Sequence, residues 1–502
     1  MTSRRTSWIG FFAALVLYLV RVFPWAAAQL WIDEVITLYN YAGAFHPGTT
    51  LGSVFRNYTL ANNHILSTAI YWLWLKVVPV SAPETLLRLP SLVFGALTLA
   101  VVVFWWRKWL GTRIAVLGAI VFAASPVFPA FAYQIRGYSL SMLLAALGVA
   151  LAATLLEQLQ TKKPTWRTQL ALFLTSLAQP LIMPSAAVFP AAIASWIGME
   201  RYPGCNLLSK NSQRAIVAGV PTMLGALLGV AYYFTLGEQF RLARLDAGEI
   251  SADWWTTSSS FLHVLLALVV HLGVLMLPLV ISRFVRNIWR TPLLNRSNII
   301  LISWIGTELL MYGAAGRSTV PFPRNSLVFF PLVTFAALLT IRVLPRRFMQ
   351  RGVIFGAATL AVLLGIGITA WQEAVCLRQV RAGDIPQDLL KQQYRGDDST
   401  RTIVRNLHDA GLCDNSYLLV SDNDGTVAKW HYEVLGHSPQ RVYDRTLLLA
   451  NPRFWETPNG AAPVFVSARL APEADQLYRI AQYPLPWKCI MQLKFRDFYG
   501  PQ

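Results

Sequence analysis

The stretch ANNHILSTAIYWLWLKVVPV occupies residues 61–80, and its reading decides the fold. By length and apolarity it is a match for a membrane span, which takes ~20 apolar residues. Counting it as a span, however, reverses the side of every later loop. The basic residues choose between the two counts, because cytoplasmic loops gather Lys and Arg. With residues 60–79 as a helix lying on or dipping into the outer face, and the N-terminus inside, the cytoplasmic segments hold 19 basic residues. They run from Arg4 and Arg5, through clusters such as Lys162, Lys163 and Arg167, to Arg346, Arg347 and Arg351. The opposite loops hold six, namely Arg56, Lys76, Arg136, Arg241, Arg244 and Arg317. Residues 30–87 then form one long external loop.

Composition agrees with a membrane chain. Of 502 residues, 55% are hydrophobic and 14% charged, too apolar for an ordinary soluble protein. Apolar length predicts about eleven spans, near 8–28, 88–106, 112–131, 138–157, 168–179, 184–198, 214–235, 259–282, 298–315, 324–342 and 352–371. The first run lacks a small-residue cleavage site and reads as a retained span. The fifth and sixth flank AQPLIMP (178–184), whose prolines predict a bent or partly re-entrant pair. The net charge of +18 does not point to nucleic acid. Residues 373–502 hold 15 basic and 15 acidic side chains, and residues 1–371 hold 28 and 10, so the excess follows the cytoplasmic loops.

The last ~130 residues change character. YLLVSDNDGTVAKWHYEVLG (417–436) reads as a strand, a polar turn and an amphipathic helix, and APVFVSARL (462–470) as another strand. The expected architecture is therefore an all-α polytopic membrane bundle at residues 1–371, with a small extracytoplasmic α/β domain at 372–502. Three of the four cysteines, Cys376, Cys413 and Cys489, fall on the outer side. Cys413–Cys489 is one possible disulfide, and sequence does not fix the pairing. No metal-type cysteine spacing occurs.

Polar residues expected at the external ends of spans form a short set. They are Asp33 and Glu34; Asn62, Asn63 and His64; Arg88; Tyr133, Gln134, Arg136 and Tyr138; Glu308; and Arg317 and Arg324. Charges at membrane depth are costly and are usually retained for function. A carboxylate at a cavity mouth can deprotonate a hydroxyl, and arginines match phosphate oxygens bidentately. Phosphate at membrane level suggests a lipid phosphate whose tail stays in the bilayer. Each residue also has a plainer reading: a solvated helix start for Asp33 and Glu34, interfacial anchors for Arg88 and Arg324, a structural hydrogen bonder for His64.

The order of the pieces resembles the GT-C membrane glycosyltransferases. In particular it is similar to bacterial members of glycosyltransferase family 39, the group of the dolichyl-phosphate-mannose protein mannosyltransferases and the lipid A aminoarabinose transferase. WIDE (31–34) resembles the family's W-x-D-E after the first span, and NNHI (62–65) its N-H-P. RLPSLVFG (88–95) matches R-x-P-S-x-x-x-G, and RKWLGTR (107–113) resembles its basic R-x-x-G turn. AASP (123–126), YQIRGYSL (133–140) and PFPRNSLVFFP (321–331) follow in the family's order. The resemblance covers roughly residues 8–342. It implies a GT-C fold and transfer of a sugar from a polyprenyl-phosphate donor to an acceptor hydroxyl on a lipid, glycan or protein, at the outer face of the inner or plasma membrane. It implies Asp33 as catalytic base with Glu34 beside it. His64, Arg88, Arg136, Tyr138 and Arg324 would surround the lipid phosphate, with Asn63, Gln134 and Glu308 in the cavity. Ile65 replaces the family's proline, and Gln134 a frequent glutamate. Some relatives bind a divalent metal through carboxylates in these loops; with glutamine at 134 no cofactor is required, and a divalent metal is the alternative. Two other functions remain open at this point: a transporter or flippase for a lipid-linked sugar, and a non-catalytic scaffold. Neither paired broken spans nor an internal repeat favours the first.

Overall fold

The computed structural model describes residues 2–58, 63–125, 127–200, 210–237, 239–240, 292–315, 327–343, 399–420, 422–444, 464–467, 487–492 and 497–501. The chain divides into two compact units. One comprises Met1–Phe23, Thr50–Tyr71 and Arg88–Thr369; the other comprises Pro24–Thr49, Trp72–Leu87 and Ala370–Gln502.

Beside four short helices at Leu51–Arg56, Glu84–Leu87, Arg107–Leu110 and Val127–Ala132, the described helices, in chain order, are α1 (Thr2–Ala26), α2 (Ile32–Ile36), α3 (Ile65–Trp74), α4 (Leu89–Ala100), α5 (Thr112–Ala124), α6 (Tyr138–Gln160), α7 (Trp166–Ile182), α8 (Val188–Glu200), α9 (Lys210–Thr235), α10 (Pro292–Ala315) and α11 (Phe330–Val343). Among the described residues, four stretches are long and apolar enough to cross a membrane: Arg4–Ala26, Leu89–Leu110, Tyr138–Gln160 and Val217–Thr235. The protein is a helical membrane protein. The spans expected at 259–282 and 352–371 lie outside the described residues. α3 has 10 residues, about 15 Å of helix, half of the ~30 Å hydrocarbon core. It is therefore too short to be the span that the length of its sequence suggested.

α6 is buried along most of its length. The Trp106 indole donates to Ala146 O at 3.1 Å, and its ring packs edge-on against Phe335 at 5.1 Å. Backbones approach closely where α9 meets α7. A Cβ on Gly225 would lie 2.4 Å from Phe173 O, and one on Gly229 2.7 Å from Leu177 O, so this small-xxx-small pair has no room for a side chain. A break falls within AQPLIMP at Pro184, while Pro180 stays inside the helix. α7 ends at Ile182, and one 3₁₀ turn at Pro184–Ala187 precedes α8. Pro184 has no N–H to offer the Pro180 carbonyl, and the Tyr233 hydroxyl of α9 donates to it instead at 2.7 Å.

The second unit adds α12 (Ser399–Asp409), α13 (Asp422–Val434) and strands β1 (Tyr417–Val420), β2 (Val442–Asp444), β3 (Val464–Ser467), β4 (Trp487–Gln492) and β5 (Asp497–Pro501). The strands lie in the order β2-β1-β3-β5-β4. β1 runs parallel to β2 and β3, and β5 antiparallel to β3 and β4. A parallel pair needs a crossover, and α13 supplies it between β1 and β2. Val404, Leu407, Cys413, Leu418, Val420, Ala428, Tyr432 and Val442 form the core. Cys413 is a free, buried thiol, which burial pushes up to about 11. Cys489 is on β4, and with Cys413 a free thiol this candidate bridge is not formed.

His431 on α13 is buried, and its Nε2 has no hydrogen-bond partner among the described residues. Burial, then the charges of Arg401 and Arg405, hold it down at about 3. The fold binds neutral imidazole, whereas the unfolded chain takes a proton below about 6.5. Stability from this group is therefore complete above pH 6.5 and is lost as pH falls from there towards 3, by about 1.4 kcal/mol per pH unit. Thermal unfolding of the second unit followed from pH 7 to 5 should show this loss, and His431→Phe should flatten it.

Candidate active site

Asp33 and Glu34 lie in the first turn of α2, where acids favour the helix N-terminus. They are not equivalent. Glu34 is fully buried, and its Oε2 accepts the Trp31 N–H at 3.2 Å, closing the start of its own helix. Asp33 keeps 9% of its surface exposed. Its carbonyl accepts the Thr37 hydroxyl at 2.8 Å, where the helix widens into a π turn at Thr37–Tyr41. Such turns are rare and gather at functional sites.

In the first unit, three separated motifs meet. The Tyr71 hydroxyl of α3 and Ser91 Oγ of α4 are 2.6 Å apart, and Ser91 Oγ donates to Gln134 O at 2.6 Å. Arg136 Nη2 lies 2.8 Å from His64 Nε2, and its guanidinium sits over the Tyr138 ring at 5.4 Å. The Tyr138 ring meets His64 edge-on at 5.2 Å. Arg88 covers Tyr133 at 5.5 Å. His64, Arg88, Arg136 and Tyr138 are all buried, the two arginines at 1% and 2% exposure. Since a guanidinium always donates, His64 Nε2 accepts and the ring proton belongs on Nδ1. The Gly137 N–H, 3.3 Å from Nδ1, is then a close approach, because the neutral ring has one lone pair. Gly137 itself has an ordinary φ of -71°, so space alone demands a glycine. A Cβ there would lie 2.1 Å from Ile182 Cγ2 and 2.8 Å from His64 Nδ1.

Two other residues have local work. Asn63 donates to Asn57 O at 2.6 Å and accepts from the Thr68 hydroxyl at 2.8 Å, fixing the entry to α3. Gln134 Nε2 donates to Ala130 O at 2.8 Å. Among the described residues no three His, Cys, Asp or Glu side chains converge as metal ligands. Glu308 is on α10, its side chain outside the described residues, as is Arg324 altogether.

Sequence reasoning passed over Arg21. It lies within α1 with 8% exposure, and its Nη1 donates to Ala123 O at 3.0 Å and Ser125 O at 2.8 Å. These carbonyls end α5 just before Pro126, where the helical donors stop. An arginine inside an apolar span was the available signal. In the same AASP motif Ser125 Oγ accepts the Phe128 N–H at 3.1 Å, starting the next helical turn.

No protein-family model matches the sequence, and no curated protein is similar to it in sequence. Solved structures do match. ArnT from Cupriavidus metallidurans in the apo state aligns over 99% of this chain and 98% of its own, at TM-score 0.59 and 13% identity. The same protein bound to undecaprenyl phosphate aligns over 98% and 97%, at TM-score 0.56 and 14% identity. A looser likeness, at TM-score 0.43 and 13% identity, is to the arabinosyltransferase EmbB from Mycobacterium smegmatis, over 80% of this chain and 43% of that one. Nearly end to end, then, this chain has the fold of ArnT, the fold of the GT-C membrane glycosyltransferases.

Proposed function

We propose that the protein transfers a sugar from a polyprenyl-phosphate donor to an acceptor hydroxyl at the outer face of the membrane. The observation that carries this reading is a pair of buried arginines, Arg88 and Arg136, on motifs of a chain with the ArnT fold. Buried guanidiniums at membrane depth are costly and are usually retained for function, and their planar forks suit phosphate oxygens. The ArnT crystal bound to undecaprenyl phosphate supplies the ligand class.

In this reading Asp33, at the edge of its helix, takes the proton of the acceptor hydroxyl. The oxygen attacks the anomeric carbon from the face opposite the phosphate. The carbon–oxygen bond to phosphate breaks, and the configuration inverts. Polyprenyl phosphate leaves with one more negative charge, which Arg88 and Arg136 meet. His64 orients the Arg136 fork, and Tyr138 covers its face. Glu34 supports the helix that presents Asp33.

Titration of purified protein with undecaprenyl phosphate tests the donor half of this reading. Saturable binding that an uncharged polyprenol does not reproduce is expected; equal binding of both would contradict it. Gly137→Ala offers a sharper check, since it removes no functional group. The added methyl pushes on His64, so affinity for undecaprenyl phosphate should fall about 10-fold or more, as small misplacements do at a built site. A Gly198→Ala control, open around its Cβ, should bind normally.

A further inference from the structure

We infer that α13 is a positioning element for the Asp33 helix, acting through a hydrogen bond from Tyr39 to Glu433. The inference rests on the transferase reading for its catalytic consequence, and on the second unit alone for its geometry.

The Asp33 helix has five residues, and the π turn after it has five more. Segments this short do not hold themselves together in water. Yet Glu34, Val35, Thr37, Leu38 and Tyr41 are buried almost completely. Support comes from the far end of the sequence. α2 packs against α13. The Tyr39 hydroxyl donates to Glu433 Oε1 at 3.2 Å across 394 residues. Phe45 meets the Trp430 ring edge-on at 5.2 Å, and the Tyr39 ring packs between Phe45 at 5.8 Å and His46 at 5.5 Å. On the other flank of Asp33, Gln29 Oε1 accepts the Arg401 N–H at 2.9 Å. Arg401 Nη1 also pairs with Glu84 Oε1 at 2.6 Å. Asp33 is thus held on both sides, from Gln29 and from Tyr39 to Phe45, by α12 and α13.

The chemistry of the Tyr39–Glu433 pair fits a fixed link. Burial, then the neighbouring Glu433 carboxylate, pushes Tyr39 up to about 12, so it keeps its proton and stays a donor at any working pH. Burial also raises Glu433 above the ordinary carboxylate range, opposed by the Tyr39 hydrogen bond and by His46. Glu433 Oε2 has no hydrogen-bond partner among the described residues. A carbonyl oxygen in place of Oε1 would therefore serve as well, whereas an aliphatic side chain would not.

Two readouts on full-length protein in detergent test this. One is hydrogen exchange of the peptide covering 30–44. The other is release of undecaprenyl phosphate from a panel of undecaprenyl-phosphate-linked sugars, with cell-envelope lipid, glycan and protein fractions as acceptors. Glu433→Ala and Tyr39→Phe should each speed exchange in 30–44 about 5- to 10-fold, the effect of losing one hydrogen bond. They should lower turnover by a similar factor, with undecaprenyl phosphate affinity unchanged. Glu433→Gln, which keeps the acceptor, should restore both, which a variant that merely unfolds would not allow. Unchanged exchange in Glu433→Ala, or faster exchange with unchanged turnover, overturns the inference. A wild-type protein that releases nothing from any donor counts against the transferase reading instead, and exchange alone then decides whether the link exists.

Discussion

Asp33→Asn is expected to lower release of undecaprenyl phosphate by about 100-fold or more, the range for losing a general base, while affinity for that lipid stays as it was. The substitution keeps the shape of the side chain and removes only its capacity to take a proton. The structure sharpens the comparison with its neighbour. Glu34 is fully buried, with Oε2 committed to the Trp31 N–H, and a glutamine there still accepts that bond. Glu34→Gln should therefore cost turnover only a few-fold, in line with one weakened hydrogen bond. Equal losses in the two variants would mean that the helix start matters and the Asp33 carboxylate does not. The measurement is steady-state release from a reactive donor, with lipid binding measured in parallel.

Arg136→Ala carries the second large effect. A charge-assisted hydrogen bond to phosphate contributes about 1.5–3 kcal/mol, so affinity for undecaprenyl phosphate should fall about 10- to 150-fold. Its present geometry shows why lysine will not replace it. Nη2 is engaged with His64 Nε2 at 2.8 Å, and the guanidinium plane lies over Tyr138. A lysine ammonium cannot serve histidine, ring and phosphate together, so Arg136→Lys should remain impaired. An interfacial anchor would behave differently: Arg136→Ala would reduce expression, and the surviving protein would bind undecaprenyl phosphate normally. Lys162→Ala, exposed in the turn after α6, is the control and should bind as wild type does.

How much of this was legible depends on whether the signal is local. Prolines announced the break between α7 and α8, since the missing N–H acts on the nearest carbonyls. Apolar length marked the helices, and charge asymmetry marked 60–79 as something other than a span. His64, Arg88, Arg136 and Tyr138 were reachable as motif residues. That His64 and Arg136 touch was not, because no periodicity links positions 72 residues apart. The same holds for Tyr39 and Glu433. The resemblance already set Asp33 as base with Glu34 beside it, and the fold adds that Glu34 is fully buried with its Oε2 on the Trp31 N–H. Arg21 was missed although its signal was local, a charge within an apolar run. The close approach at Gly225 and Gly229 needed a partner helix to be visible, and the Cys413–Cys489 option needed the fold that leaves Cys413 a free, buried thiol.

The most direct test is release of free undecaprenyl phosphate by purified protein in liposomes. The liposomes would hold a panel of undecaprenyl-phosphate-linked sugars, with cell-envelope lipid, glycan and protein fractions as acceptors. The account predicts release from at least one donor, matched by sugar appearing on an acceptor, and loss of both in Asp33→Asn. Donor that crosses the bilayer or binds tightly, yet is never cleaved in the presence of any acceptor fraction, would contradict it and identify a carrier of lipid-linked sugar instead.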